Sequence, residues 1–230
     1  MKTIAIVGLG LIGGSIGLGL KQSPEASSLR IIGIPRREET IKEAISRGAI
    51  DEGTVDFKKG IPEADIVFIC TPINLIVPAL EQIAPLLKKG AIVTDVGSTK
   101  EKVVVEAEKL MTKGTYFVGG HPMAGKEKVK LEQADASLFN EKIWVLAKNS
   151  KTSKKALEEV GRLIDLLGAQ LIVMETKTHD LAVAAISHTP LAAAAALVNS
   201  VANAPKAKEE MKSCAASGFR DTTRIASGDP

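Results

Sequence analysis

Ile4–Ser15 reads IAIVGLGLIGGS, and this stretch decides the fold. The apolar run Thr3–Val7 has the length of a short buried strand. Gly8, Gly10 and Gly13 follow at G-x-G-x-x-G spacing, and Ile12–Lys21 carries a helical pattern. Strand, glycine turn and helix together form a phosphate cradle. Gly8 permits the tight turn, Gly10 lets the main chain approach a pyrophosphate, and Gly13 lets helix and strand pack closely. The helix start then offers free N–H groups and a positive dipole end to the anion. Gly8, Leu9, Gly10, Leu11, Ile12 and Gly13 are therefore the candidate dinucleotide contacts. Thr3–Leu20 is also uncharged after Met1-Lys2, as a leader or membrane span would be. Six glycines lower its hydrophobicity and no small-residue cleavage pattern follows, so neither is expected.

Outward from this unit the pattern repeats. Arg30–Ile34, Asp65–Cys70 and Ala91–Val96 read as further strands, with Tyr116–Val118, Ile143–Ala147 and Leu171–Met174 after them. Helical patterns lie between, at Glu38–Arg47, Ile73–Leu87, Lys100–Leu110 and Ser153–Leu167, with Ser153 as an N-cap. Alternation of this kind predicts an α/β fold: a Rossmann-type, mostly parallel sheet with helices on both faces. After Glu175 no strand is legible. His179–Val201 reads as a long Ala-rich helix and Lys206–Ser217 as a second. The expected division is therefore a dinucleotide-binding domain over 1–175 and a short helical domain over 176–230. A helix apolar on all sides must be buried, either in a helical domain or against a partner chain.

The end of the second strand bears on cofactor choice. Enzymes that take NAD usually carry an acid there to hold the ribose hydroxyls. This chain reads Gly33-Ile34-Pro35-Arg36-Arg37. With Pro35 in the acid position and Arg36 and Arg37 beside it, a 2′-phosphate is not repelled and can be paired. The reading is NADP in preference to NAD. Cys70, Thr71 and Pro72 end the third strand, on the edge where open α/β sheets bind ligands.

Composition sets bounds. The net charge of +3 is small and spread along the chain, which argues against a nucleic-acid partner. Cys70 and Cys214 are the two cysteines and form no CxxC pair; a free thiol and a reducing, cytoplasmic compartment are expected. Three scattered histidines offer no metal-ligand spacing, so no metal is expected.

Three clusters carry chemistry. Asp95-Val96-Gly97-Ser98-Thr99-Lys100 follows a strand, and Ser98 is either a hydrogen-bonding site residue or the N-cap of the next helix. Gly119-Gly120-His121-Pro122-Met123-Ala124-Gly125 holds a histidine rigidly between glycine and proline, suited to proton transfer near neutrality. The helical part supplies Ser187-His188-Thr189-Pro190 and Ser217–Arg224. His188 is a site residue or a satisfied core histidine. Arg220 and Arg224 suit an acidic substrate, or else pair structurally, for instance with Asp221.

In this order the segments VGLGLIGGS, CTPI, TDVGSTK, GGHPMAG, ISHTP and SGFRDTTRIASGDP resemble the prephenate/arogenate dehydrogenase family over nearly the whole chain. Together with Pro35-Arg36-Arg37 they look most like the NADP-linked arogenate dehydrogenases of the cyanobacterial type. The resemblance implies oxidative decarboxylation of a cyclohexadienyl substrate, giving tyrosine from arogenate or 4-hydroxyphenylpyruvate from prephenate. It implies that His121 accepts the proton of the 4-hydroxyl and that Ser98 helps to position that hydroxyl. Arg224 clamps a carboxylate, while Arg220 and His188 line the same pocket. A homodimer through the helical domain is also implied. Lys126 and Glu127 are candidates to face the keto or amino group that separates the two substrates. Two departures stand out. Family members usually continue through further helices beyond Asp229-Pro230, and many carry a second histidine where this chain has Leu191. The competing readings are a β-hydroxyacid-type dehydrogenase and a non-catalytic NADP-binding module.

Overall fold

A computed structural model describes residues 2–26, 28–126, 130–204 and 208–227. Eight strands form one sheet in the order β3-β2-β1-β4-β5-β6-β7-β8. They are β1 (Thr3–Val7), β2 (Arg30–Ile34), β3 (Glu52–Gly53), β4 (Ile66–Ile69), β5 (Ile92–Asp95), β6 (Tyr116–Pro122), β7 (Ile143–Lys148) and β8 (Gln170–Glu175). All neighbours run parallel except β6 and β7, which are antiparallel. Strand order reverses between β1 and β4, and at such a reversal the connecting segments diverge to opposite faces and leave a crevice.

The helices of this sheet are α1 (Leu11–Gln22), α2 (Glu38–Ser46), α3 (Phe57–Gly60), α4 (Ile73–Ile83), α5 (Glu101–Leu110) and α6 (Lys154–Leu166). Successive strand residues feed two separate cores. Ile4, Ile6, Ile66 and Phe68 pack on one face with Ile16, Leu20 and Trp144; Ala5, Val7, Val67 and Ile69 pack on the other with Ile76, Leu80 and Val104. A sheet covered on both faces needs strands that are apolar at every position, as β1 and β4 are. The uncharged N-terminal stretch is thus the central strand, the turn and a buried helix. Ser153 does cap α6, accepting the Ala156 N–H at 3.4 Å.

The chain divides into two compact units between His179 and Asp180. Across that division runs a continuous 27-residue helical stretch, Thr176–Ala202. It comprises α7 (Thr176–Val183), a π-helical turn (Ala184–His188) and α8 (Thr189–Ala202). Pro190 cannot donate a backbone hydrogen bond. The Thr189 N–H instead reaches back five residues to Ala184 O, and its hydroxyl reaches the same oxygen at 2.8 Å. In the second unit α9 (Lys208–Ser213), α10 (Ser217–Thr223) and a 3-10 turn (Arg224–Ser227) pack on α8. The expected Lys206–Ser217 helix begins outside the described residues and ends earlier. The backbone turns extended at Ala216, and Ser217 starts α10 instead of closing the previous helix. Within this chain the apolar stretch is not buried: Leu181, Ile186 and Leu191 are 65%, 68% and 46% exposed.

Candidate active site

The glycine turn has the shape its spacing predicts. Gly8 stands at φ +94°, in the left-handed region, and a Cβ there would lie 2.7 Å from Cys70 O. A Cβ on Gly13 would lie 2.1 Å from Gly8 O, so the helix start sits directly on the turn. Gly10 is the N-cap of α1 and, among the described residues, no side chain caps that end. Leu9 and Leu11 are buried at the turn and Ile12 packs against the core, so their side chains serve packing.

At the end of β4 the hydroxyl of Thr71 is buried and has no hydrogen-bond partner among the described residues. An unsatisfied hydroxyl costs about 1–3 kcal/mol unless a ligand or water meets it. Together with the cradle at Gly8 and Gly13, it fits a bound dinucleotide. Burial pushes the Cys70 thiol well above its ordinary value, with the Asp95 carboxylate adding to the effect. Cys70 therefore stands beside Thr71 as a neutral thiol, the poorly nucleophilic form. Pro72 stands at the N-cap of α4. On the neighbouring β2, Pro35 is buried, while Arg36 and Arg37 are exposed and have no ion-pair partner among the described residues.

His121 is placed by an unusual strand. The first residues of β6, Tyr116–Val118, pair with β5; the last four, Gly119–Pro122, pair with β7. β6 thus changes neighbours halfway and carries His121 beyond the end of β5. Gly119 and Gly120 make this possible. A Cβ on Gly120 would lie 2.4 Å from Asp95 O, and one on Gly119 2.8 Å from the Val104 side chain.

Under that step lies a fully buried ion pair between Lys100 and Asp95. Asp95 also accepts the Gly97 N–H at 2.9 Å and the Gly120 N–H at 3.1 Å, while Lys100 donates to Gly120 O at 2.8 Å. Both backbone groups of Gly120 are therefore held by side chains from the β5–α5 connection. Sequence reading noticed this cluster but took only Ser98 from it. Ser98 is exposed, and the N-cap of α5 is Lys100, so Ser98 does not cap that helix. Asp95 and Lys100 were the residues missed. An Asp and a Lys five positions apart, bracketing a Gly-Ser turn at a strand end, were the available signal.

A further residue missed is His179. His121 Nδ1 lies 2.9 Å from His179 Nε2, with the rings edge to face at 76° and their centroids 5.1 Å apart. His179 is 1% exposed and shares a buried stripe of α7 with Thr176 and Val183. The i, i+3, i+7 spacing of that stripe was legible; that its histidine meets His121, 58 residues earlier, was not.

The remaining candidates belong to the second unit. His188 closes the π-helical turn and is exposed within this chain. Arg220, on α10, pairs with its neighbour Asp221 at 3.3 Å with both side chains in solvent, and such a pair contributes little. Arg224 begins the 3-10 turn one helical turn later and is exposed. Lys126 is exposed and lies 3.4 Å from Asp135; Glu127 falls outside the described residues.

Comparison with known proteins adds the following. A family model described as the nucleotide-binding domain of prephenate dehydrogenase matches residues 16–173, and one described as its dimerization domain matches 175–230. The nucleotide-binding match starts past the glycine turn, so the reading of that turn rests on its own geometry. Prephenate dehydrogenase of Bacillus subtilis (strain 168) is 39% identical over 229 residues, covering 99% of this chain and 61% of that protein. The chain spans about three fifths of the length of the curated relatives it matches first. Among solved structures, Synechocystis arogenate dehydrogenase superposes with a TM-score of 0.86 at 36% identity, covering 99% of this chain and 80% of the other. The prephenate dehydrogenase of A. aeolicus, in complex with hydroxyphenyl propionate and NAD+, gives 0.90 at 33% identity, covering 100% and 79%.

Proposed function

The chain belongs to the prephenate dehydrogenase family, and on that premise we propose that it oxidatively decarboxylates arogenate or prephenate with NADP as the preferred cofactor. The carrying observation is one of register. The glycine turn after β1, Thr71 after β4, Asp95 at the end of β5 and His121 at the end of β6 all lie on the carboxyl edge of the parallel strands. A nucleotide cradle and a held imidazole thus share one edge. A β-hydroxyacid-type dehydrogenase shares the cradle but lacks the His121-Pro-Met-Ala-Gly and Gly218–Arg224 segments.

Gly8, Gly10, Gly13 and the N-terminus of α1 would hold the pyrophosphate, and Thr71 would meet the cofactor with its hydroxyl. Arg36 and Arg37 would pair with a 2′-phosphate. The nicotinamide, when bound, supplies the acceptor for a hydride. His121 takes the proton of the ring hydroxyl on Nε2, because Nδ1 is engaged by His179. As the hydride departs, the ring carboxylate leaves as carbon dioxide, and its bonding pair completes the aromatic ring. The oxygen then recovers its proton from His121 and the product is a phenol. Ser98 would hold the hydroxyl, Arg224 would bind a carboxylate, and Arg220 and His188 would border the same substrate.

Residues 176–230 are assigned to substrate binding and dimerisation. Thr176–Ala202 is long and apolar enough to cross a membrane by length and composition alone, with a mean hydropathy of 1.8. The matched dimerization-domain description supports a second copy of the chain as its cover, and a cytoplasmic enzyme accords with that.

Cofactor reduction at 340 nm with each substrate and each cofactor tests the assignment. Turnover with arogenate or prephenate is expected, with a higher kcat/KM for NADP than for NAD. NADP binding without turnover of either substrate would leave only a binding module. His121→Asn is expected to lower kcat by roughly 10²–10⁴-fold, the usual worth of a positioned base, with cofactor affinity nearly intact.

A further inference from the structure

An imidazole accepts a proton on Nε2 only if its own ring proton sits on Nδ1. His121 Nδ1 faces His179 Nε2 at 2.9 Å, so one proton lies between the two rings. If His179 Nε2 carried it, His121 would be left with its proton on Nε2, the nitrogen that must accept. If His121 Nδ1 carries it, Nε2 has its lone pair and His179 is the acceptor. The N···N distance of 2.9 Å and the centroid separation of 5.1 Å place the two nitrogens between the ring centres, where the in-plane lone pair of one can meet the in-plane N–H of the other at any twist of the planes, here 76°.

We propose that His179 is the positioning residue of the site: it accepts the Nδ1–H of His121, fixes that ring in the tautomer able to take the substrate proton, and holds its plane. This rests on the assignment of His121 as the base. In a catalytic triad a carboxylate fills the equivalent place and adds negative charge behind the base. A neutral imidazole orients without that charge, so the imidazolium formed at His121 is less stabilised and returns its proton readily to the phenol oxygen. His179 suits a fixed acceptor. It is 1% exposed, and its stripe on α7 is buried at Thr176 and Val183 on either side.

The chain has three histidines, so their ring nitrogens can be assigned from single substitutions in the full chain labelled with 15N-histidine. At a pH where the rings are neutral, wild-type His121 should show a protonated Nδ1 and an unprotonated Nε2. In His179→Leu that bias should be lost in favour of Nε2–H, the form histidine prefers in water. The same variant should lose kcat by about 10²-fold, with KM and the NADP dissociation constant little changed. His179→Gln, which offers Oε1 as acceptor, should restore both the tautomer and most of kcat. Should His179→Leu fail to fold, His179→Gln decides: a retained Nδ1–H with near-normal kcat supports the proposal, and a lost bias with normal kcat overturns it. A wild-type His121 protonated on Nε2, or a tautomer indifferent to residue 179, overturns the proposal and leaves the base assignment standing. An undiminished kcat in His121→Asn overturns the base assignment and the proposal with it.

Discussion

Lys100 is among the largest fully buried side chains of the molecule, and its charge has no access to water. It is tolerated because Asp95 neutralises it and Gly120 O accepts a hydrogen bond from it, while Asp95 in turn satisfies two backbone donors. Removing one partner strands the other. Lys100→Met is expected to cost about 3–5 kcal/mol, measured by urea denaturation, because it leaves an unpaired carboxylate in the core. Asp95→Asn with Lys100→Met together should cost clearly less than the two single losses added, since neither charge is then stranded. Both variants should also lower kcat, because Gly120 is the residue before the proposed base. Arg224, by contrast, has an exposed side chain. Arg224→Ala should raise KM for the acidic substrate and leave stability nearly unchanged; an unaltered KM in steady-state assays would reject its role as a clamp.

At the scale of elements, α1 explains why its sequence looks wrong for a helix. Glycine costs about 1 kcal/mol relative to alanine inside a helix, yet Gly13, Gly14, Gly17 and Gly19 all lie in this one. Each is a place where something approaches too closely for a Cβ: Gly8 O for Gly13, the Leu131 side chain for Gly14, Ala49 O for Gly17 and the Leu167 side chain for Gly19. Gly17→Ala would put its Cβ 2.2 Å from a backbone oxygen, and a loss of about 1–3 kcal/mol in thermal or urea unfolding is expected. Gly218→Ala on α10 meets nothing within 4 Å and should be neutral or stabilising by up to about 1 kcal/mol. The strand–turn–helix unit was legible because its signals are local: Thr3–Val7 and Arg30–Ile34 have the bounds that the apolar runs predict. The Asp95–Lys100 pair was half legible, since both residues stand at one strand end. The His121–His179 contact was not, because nothing local in a helix start or a strand end encodes a meeting between them. The two-residue β3 and the one-turn α3 were missed for lack of any period to read.

At the scale of the molecule, the sheet is held at its amino edge by two carboxylates that act on backbone. Asp65 accepts the Thr3 N–H at 2.8 Å and pairs with Lys88 at 2.6 Å; Asp51 accepts the Ile31 N–H at 2.7 Å and pairs with Lys21 at 2.6 Å. Burial works against ionisation of both, but the lysine partners and the backbone donors prevail and hold each carboxyl below its ordinary range. A group depressed in the folded state contributes stability above its unfolded pKa, near about 4, and loses it as pH falls through the folded value. Unfolding free energy should therefore decline below pH ~4, and less steeply in Asp51→Asn with Asp65→Asn, as urea titrations across that range would record. The exposed apolar run of Thr176–Ala202 leads to a second expectation at this scale. The chain should sediment as a dimer, and Leu191→Glu with Leu197→Glu should shift it toward monomer. The change of neighbours along β6 also has a consequence in time. During synthesis, β1 through β5 and the glycine turn can come together once residue 95 has emerged. The second half of β6 has no mate until β7, at Ile143–Lys148, follows it, and the ring behind His121 arrives only with residue 179. The cradle for the nucleotide is thus complete well before the base is aligned. In pulse-labelled hydrogen exchange during refolding, the amides of β1 and β4 should gain protection before that of Gly120.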